Sequence, residues 1–339
     1  MRFSLSPDQE LFKRNFREVL ERCCTPAHVR AAWHANGEAA SQRWSELAAF
    51  GVLGVLGPEA LGGLSLSDVE ATLLLEEAGR AALPEPLLET AAVAVPVLSA
   101  LASDARASAL SGAVISGTVA IGVGLSSESY VTLPPRAEQL LVETGEEAHL
   151  VSLSESEPVL QPSVDGSRRL FRVAPRLGDS TRLARGKLVQ AAFDEARVRG
   201  RIGAAAELVG LGLRVVDMTV AHAKTRVQFG QPIGAFQAVK HQLAEAFKGL
   251  VFARPLVYRA AHSMANGDPE RALHASVAKA GASDAAYRAS RVALQVHGAI
   301  GYSYEHDLHL WMKRIWSLAR AWGDAAFHRA RIAHRLLGT

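Results

Sequence analysis

Four long stretches with helical periodicity fill residues 199–339 and restrict the fold more than any other feature of the chain. They are GRIGAAAELVGLGLRVVDMTVAHAKTRV, FQAVKHQLAEAFKGLVFARPLVYRAAHSMANG, PERALHASVAKAGASDAAYRASRVALQVHG and HDLHLWMKRIWSLARAWGDAAFHRARIAHRLL. Apolar residues recur in them three and four positions apart, which is typical of helices with one buried face. The four stretches predict a C-terminal four-helix bundle.

Residues 1–111 also have helical patterns. The first, SPDQELFKRNFREVLERC, begins with Ser6 as the helix cap and Pro7 in the first turn. Residues 112–198 differ, because short β-prone runs such as AVISGTVAIGVG, QLLVET and KLVQAAF are separated by Gly, Pro, Ser and Asp. The prediction is a mostly α protein of the α+β class: an N-terminal helical domain (1–111), a small antiparallel β domain (112–198) and the bundle (199–339).

Composition and charge exclude several classes of protein. The net charge is +3 over 339 residues, but lysines and arginines alternate with acidic residues, which indicates a solvated surface rather than a nucleic-acid site. The two cysteines, Cys23 and Cys24, are adjacent and predict free thiols in a reducing compartment. No signal peptide and no run of about 18 apolar residues is found, so we expect a cytoplasmic protein that does not span a membrane.

Generic catalytic motifs do not identify a function. GVLGVLG and LVGLGLR do not follow a strand of a βαβ unit, so we interpret their glycines as helix ends or close-packing positions rather than as a dinucleotide site. His297, His306 and His309 lack the spacing of a zinc site, and no metal is expected. No G-x-S-x-G motif is found.

Three segments resemble the acyl-CoA dehydrogenase family. RVQFGQPIGAFQAVKHQLAE (226–245) is similar to the family's R-x-x-F-G-x-x-[IL]-x-x-F-Q-x-x-x-H-x-L-A segment. QVHGAIGYSYEHDLHLWMKR (295–314) is similar to Q-x-x-G-G-x-G-[FY], in a variant common in bacterial members that act on bulky acyl groups, including sterol side chains. GVLGPEALGGLSLSDVEATLLLEEAGRA is similar to P-E-x-x-G-G…E-E-x-G-[RK]. The resemblance spans nearly the whole chain and implies the family's α–β–α fold.

The resemblance also implies a set of FAD-binding residues. In this family FAD lies across a subunit interface, and one subunit lends groups to its partner's flavin. Arg226 would contact the pyrophosphate, since a guanidinium forks onto phosphate oxygens. Phe229 would pack against the cofactor, Gln237 and Gln295 would hydrogen-bond it, and Gly298 would let the backbone approach.

Both positions at which the family holds its catalytic glutamate lack a carboxylate. That glutamate removes the α-proton of an acyl-CoA while a hydride leaves the β-carbon for the flavin. One position lies in Y-E-G-T-x-x-x-x-R, and Gly323 and Arg329 match its Gly and Arg, so Trp322 takes the Glu position. The other precedes a helix-opening Arg that Arg201 matches, so Gly200 takes the second Glu position.

Further departures affect the half of the site that a subunit would use for itself. The β region lacks the family's T-E-x-x-x-G-S-D loop and W-I-[ST] strand, and two FAD-contacting positions become Asp324 and Ala326. The resemblance is therefore to the shorter subunits of α2β2 actinobacterial sterol-side-chain dehydrogenases. The hypothesis is a non-catalytic subunit that completes the FAD site of a base-bearing partner. An acyl-CoA substrate and an electron-transfer flavoprotein acceptor follow from the resemblance.

Three alternatives remain open at this stage. A homomeric dehydrogenase could use a relocated base, for which Glu207 and Glu305 are the candidates. The chain could also be a flavin-free scaffold protein on the same fold. A third alternative is a flavoenzyme of different chemistry, such as a monooxygenase or a nitroalkane oxidase.

Overall fold

The computed structural model describes residues 4–33, 38–128, 130–134 and 136–338. The N-terminal part contains helices α1 (Pro7–Cys23), α2 (Pro26–Ala32), α3 (Glu38–Phe50), α4 (Asp68–Ala81), α5 (Val95–Ala100) and α6 (Ala105–Ile115). The predicted cap of α1 is confirmed, because Ser6 and Gln9 exchange hydrogen bonds between side chain and backbone at 3.0 and 3.1 Å. A π-helical turn, Leu88–Ala94, leads directly into α5. Pro96 is the second residue of α5, where the π-helical turn passes into the α-helix.

Seven short strands follow: β1 (Ile121–Gly124), β2 (Val131–Thr132), β3 (Gln139–Thr144), β4 (Glu147–Ser152), β5 (Val159–Gln161), β6 (Leu170–Arg172) and β7 (Arg182–Arg185). They form two small sheets with strand orders β1-β3-β4-β7 and β2-β6-β5. All neighbouring strands in these two sheets pair antiparallel except β1 and β3, which pair parallel.

The C-terminal part contains α7 (Lys187–Thr225), a hairpin of β8 (Val227–Gln228) and β9 (Gln231–Pro232), α8 (Gln237–Ala265), α9 (Arg271–His297), α10 (Leu308–Leu318) and α11 (Ala325–Leu337). The prediction of one last helix is wrong in one respect, since this segment forms two helices. Trp322 and Gly323 separate α10 from α11, with left-handed φ angles of +59° and +87° that no helix accommodates.

Two β-prone runs at the edges of the β region are helical, which corrects the prediction. KLVQAAF (187–193) forms the first turns of α7, where Val189, Ala192, Phe193 and Ala196 are buried at spacings of a helical face. The start of AVISGTVAIGVG belongs to α6. The predicted boundaries at 111/112 and 198/199 therefore lie within α6 and α7, and the division into three domains stays a prediction.

Glycines bring α4 against α7. A Cβ atom at Gly79 would lie 2.1 Å from the carbonyl oxygen of Glu207, and one at Gly210 would lie 1.9 Å from that of Glu76. Only glycine allows the two backbones to approach so closely. The interpretation of LVGLGLR as close packing is thereby confirmed, and this contact ties the N-terminal helices to the bundle. In the part of the chain that the structure describes, no helix has an apolar run long enough to cross a bilayer.

Candidate functional site

The hairpin between α7 and α8 carries the first group of predicted FAD-binding residues. Phe229 and Gly230 form its tip, with φ angles of +52° and +81°, as a two-residue turn of this kind requires. The Phe229 side chain is 92% exposed. Arg226, directly after α7, and Gln237, the first residue of α8, are also exposed.

The end of α9 carries the second group and lies beside the hairpin. The imidazole of His222, one turn before Arg226, stacks on that of His297 with ring centroids 4.3 Å apart. Gln295 and Gly298 flank His297 and are exposed. The two segments, about 60 residues apart in sequence, thus meet at one end of the bundle. We call Arg226, Phe229, Gln237, Gln295 and Gly298 the outward face.

Histidine at the base of the outward face is held neutral. Burial, with smaller contributions from the neighbouring His222 and His306, lowers the pKa of His297 to about 4, against a hydrogen bond from its Nδ1 to the carbonyl of Ala293 at 2.8 Å. Burial, His306 and Arg226 also lower the pKa of His222. The stacked pair of His222 and His297 therefore adds little positive charge beside Arg226 at neutral pH.

The outward face suits one half of an FAD site. An exposed guanidinium, two exposed amides and an exposed aromatic ring are the donors and the apolar surface that a pyrophosphate and an aromatic ring system require. Gly298 has φ +62° and ψ −140°, a backbone conformation open to glycine, and a Cβ there would meet no atom of this chain within 4 Å. The space in front of Gly298 is open to a ligand or partner.

The two expected base positions, Trp322 and Gly200, are in direct contact. A Cβ atom at Gly200 would lie 2.2 to 2.6 Å from three carbons of the Trp322 indole. Trp322 is 6% exposed. One side chain therefore fills the space at both positions, and it leaves no room for a carboxylate at residue 200.

Polar groups from two helices, α9 and α11, hold the Trp322 segment in place. The His328 Nε2 donates to the Trp322 carbonyl at 2.9 Å, and the Lys279 Nζ donates to the carbonyls of Gly323 at 3.0 Å and Ala319 at 3.2 Å. The carboxylate of Glu128 also lies near the Trp322 backbone N–H. The three hydrogen bonds offset the cost of a left-handed tryptophan, which is about 1–2 kcal/mol.

Burial shifts the pKa values of these supporting groups. The pKa of Lys279 falls to about 7, because of burial and then of Arg168. That of His328 falls to about 4 through burial and then Lys279, and that of Glu128 rises through burial. The sequence patterns missed all three residues. Lys279 and Glu128 are distant from Trp322 in the chain, and His328, although only six residues from Trp322, stands at a position that the motif leaves unspecified.

The two alternative bases have different surroundings. Glu305 is exposed on the segment before α10. Glu207 lies in α7, two helical turns beyond Gly200 or about 10 Å along the axis. It lines a cavity of about 320 Å³, and burial followed by the charge of Glu89 raises its pKa to about 8. Gly200's neighbour Arg201 is buried near the ring of Phe327, and burial lowers its pKa to about 10.

The α–β–α fold is the one expected of a flavin-dependent acyl-CoA dehydrogenase. Family models confirm the class: acyl-CoA dehydrogenase, N-terminal domain, matches residues 6–118, and acyl-CoA dehydrogenase, C-terminal domain, matches residues 189–337. The chain belongs to the acyl-CoA dehydrogenase family, whose members are FAD-dependent oxidoreductases acting on acyl-CoA thioesters. The predictions of the family, the fold and the enzyme class are confirmed.

Three known proteins or complexes illustrate the similarity. The chain is 31% identical to the acyl-CoA dehydrogenase IpdE2 of Mycolicibacterium smegmatis, over 94% of this chain and 96% of that protein. It superimposes on a chain of the ChsE4–ChsE5 complex from Mycobacterium tuberculosis with a TM-score of 0.81, at 21% identity and with full coverage of both chains. A steroid acyl-CoA dehydrogenase, Tcur3481–Tcur3483, gives a TM-score of 0.83 at 22% identity and 98% coverage of both.

Proposed function

We propose that this chain is the non-catalytic subunit of a heteromeric acyl-CoA dehydrogenase and completes the FAD site of a partner that carries the base. The observation that carries the proposal is the contact between Trp322 and Gly200. It leaves neither base position available for a proton acceptor. Bound FAD would supply the acceptor for the hydride that leaves the substrate's β-carbon.

The chain's own residues would bind and orient the cofactor from outside the partner's pocket. Arg226 would pair with the pyrophosphate, and Gln237 and Gln295 would donate hydrogen bonds. Phe229 would cover an apolar face of the cofactor. Proton abstraction would then belong to the partner, since no residue of the outward face can accept a proton from a carbon acid at neutral pH.

An apolar stripe supports association with another subunit. The outer side of α8 exposes Phe247, Val251, Phe252 and Leu256 at helical spacing, and the Phe252 side chain is 71% exposed. A contiguous apolar surface of this kind marks a protein interface. It favours a complex over a monomer, and the names of the similar ChsE4–ChsE5 complex and Tcur3481–Tcur3483 steroid dehydrogenase favour a heteromer acting on a sterol-derived acyl-CoA. We extend this to an α2β2 assembly that passes electrons to an electron-transfer flavoprotein.

A second candidate is a homomeric dehydrogenase with Glu207 as a relocated base. The raised pKa of Glu207 and its position in a cavity favour it. Its place two turns from Gly200 argues against it, because a base must reach the same α-carbon that the family presents at residues 200 and 322.

Expression of the chain alone and together with a base-bearing acyl-CoA dehydrogenase from the same genome tests the proposal. We expect a colourless lone chain and a yellow complex with about one FAD per pair of subunits. The flavin absorbance and the FAD-to-protein ratio measure this. The lone chain could instead be yellow, have its flavin reduced by an acyl-CoA, and lose activity on Glu207→Gln substitution. That result would overturn the half-site proposal in favour of the homomeric enzyme.

A further inference from the structure

Neither Trp322 nor any residue of the outward face lines the cavity that Glu207 lines. It is enclosed by α2, α3, the segment between α4 and the π-helical turn, the β2–β3 and β5–β6 loops and α10. Its volume of about 320 Å³ is that of a small-ligand site. The half-site proposal assigns no role to this cavity.

The cavity combines an apolar wall with an acid that lacks a partner. Pro84, Pro86, Leu133, Phe171 and Leu318 supply apolar surface. The Glu207 side chain is partly accessible on the cavity side, and among the described residues its carboxyl group has no hydrogen-bond or ion-pair partner. A polar group left in such a place costs about 1–3 kcal/mol unless a ligand or water satisfies it.

The walls are cationic. Five arginines line the cavity against Glu85 and Glu89, with Asp165 behind one of them. Arg168 pairs with Glu89 at 3.6 Å and is therefore held in place. Because the pKa of Glu207 is raised to about 8, its side chain is mainly a neutral acid at pH 7 and presents an O–H donor. Positive charges next to a neutral donor favour an anionic acceptor over an amine or a neutral molecule.

We propose that this cavity binds a small amphipathic carboxylate, whose oxygens accept a hydrogen bond from Glu207 and lie near the guanidinium of Arg168 while its hydrocarbon part contacts the apolar wall. The site is independent of the half-site and needs no flavin.

Titration of the full-length chain with octanoate, by calorimetry at pH 7 and pH 9, tests the proposal. The charged groups that face Glu207 are Glu89 on the π-helical turn, Arg168 on the β5–β6 loop and Arg314 on α10; His28 on α2 lines the same cavity. Deprotonation of Glu207 removes the donor and adds a like charge, so octanoate should bind about tenfold more weakly at pH 9 than at pH 7. Glu207→Gln keeps a donor that cannot ionise, and its affinity should be the same at both values.

Matched variants separate a carboxylate site from a purely apolar cavity. Arg168→Met should weaken octanoate binding by about tenfold and leave octanol binding unchanged, whereas Arg172→Met, at an exposed arginine on β6, should change neither. Octanol that binds as tightly as octanoate, or octanoate binding that Arg168→Met does not weaken, would overturn the assignment. The FAD content of the complex is measured separately, so failure of either proposal leaves the other intact.

Discussion

The expected base position and the outward face each contain an aromatic residue with a left-handed backbone conformation, Trp322 and Phe229. Only Trp322 is packed against other residues of the chain. Trp322, at φ +59°, is buried, and His328 and Lys279 bind carbonyl oxygens of its backbone segment. Phe229, at φ +52°, is exposed, and the nearest ring is that of Phe236 at 6.2 Å between centroids.

Backbone strain of this kind persists only where surrounding structure or function maintains it. At Trp322 contacts within the chain compensate the backbone strain. We therefore interpret the indole that fills the pocket as a part of what stabilises the fold. At Phe229 the pairing of β8 with β9 maintains the turn, but the residue itself stays 92% exposed. This difference favours a binding partner outside the chain for the hairpin. Substitutions at Trp322 and at Phe229, made separately, test it.

The largest effect is expected for the Trp322–Gly200 contact. Trp322→Ala should lower the free energy of unfolding by about 3–5 kcal/mol, because it leaves a cavity. Gly200→Ala should cost about 1–3 kcal/mol in the wild type, since the new methyl group would overlap the indole. In the Trp322→Ala background the same change should stabilise the chain by about 0.5–1 kcal/mol, because alanine favours helix over glycine.

Urea unfolding of the four proteins in this double-mutant cycle measures the effect. The reversal of sign is the distinguishing result, as a generic helix-packing position would respond equally in both backgrounds. Additive changes would show that the indole does not occupy the space beside Gly200.

Arg226→Ala should have the next largest effect, and on the complex rather than on the chain. Loss of a charge-assisted hydrogen bond costs about 1.5–3 kcal/mol, so FAD should dissociate from the complex with a constant roughly ten- to a hundredfold higher. The FAD-to-protein ratio after dialysis measures this. Arg176→Ala, at an exposed arginine of the β region, is the control and should retain its flavin. If the Arg226→Ala complex retains its FAD, Arg226 is not the central contact of the proposed half-site.

Much of this molecule is predictable from short-range patterns. The α–β–α order follows from periodicity, the start of α1 from Ser6 and Pro7, and the close packing at α7, though not its partner α4, from the glycines of LVGLGLR. Each depends on residues that are close in sequence, or on a backbone approach that only glycine permits. The absence of a carboxylate at residues 200 and 322 is likewise visible in the sequence.

The features that were wrong or missed depend on distant residues. KLVQAAF has enough apolar residues for a strand, and its burial against the rest of the core makes it the start of α7. The break between α10 and α11 depends on Lys279, which comes from α9 and binds the carbonyls that the break exposes. That Trp322 lies on Gly200 is a contact over more than a hundred residues, which no local motif records. The roles of the outward face in FAD binding stay predictions.

The pH dependence of stability should reflect the buried histidine below Trp322. The pKa of His328 is about 4 in the folded chain and near 6.5 when unfolded, so the unfolded state binds a proton first as the pH falls. Above pH 6.5 the imidazole is neutral in both states, so it does not change the free energy of unfolding. Between pH 6.5 and 4 the free energy of unfolding falls, because only the unfolded state takes up the proton. His328→Gln should remove at most roughly 2 kcal/mol of this loss at pH 5, measured by urea unfolding.

His297 keeps part of the dependence in that variant, since its pKa is also about 4. His241→Gln, at an exposed position on α8, is the control and should have the wild-type pH profile. A profile for His328→Gln that matches the wild type would mean that the imidazole below Trp322 is not held neutral by the fold.

The smallest effect is expected at the tip of the hairpin, where stability and association should change in opposite directions. Phe229→Gly relieves a left-handed φ and removes a ring that is 92% exposed, so the lone chain should gain about 0.5–1 kcal/mol in unfolding free energy. The complex should bind FAD more weakly, because the ring would be missing from the cofactor's surface. Glu157→Gly, at another exposed left-handed residue, should give a similar gain without any change in FAD affinity. Thermal unfolding of the lone chains and flavin titration of the complexes measure the two effects. If Phe229→Gly destabilises the lone chain, the hairpin is held by contacts within the chain, and the proposed contrast with Trp322 does not hold.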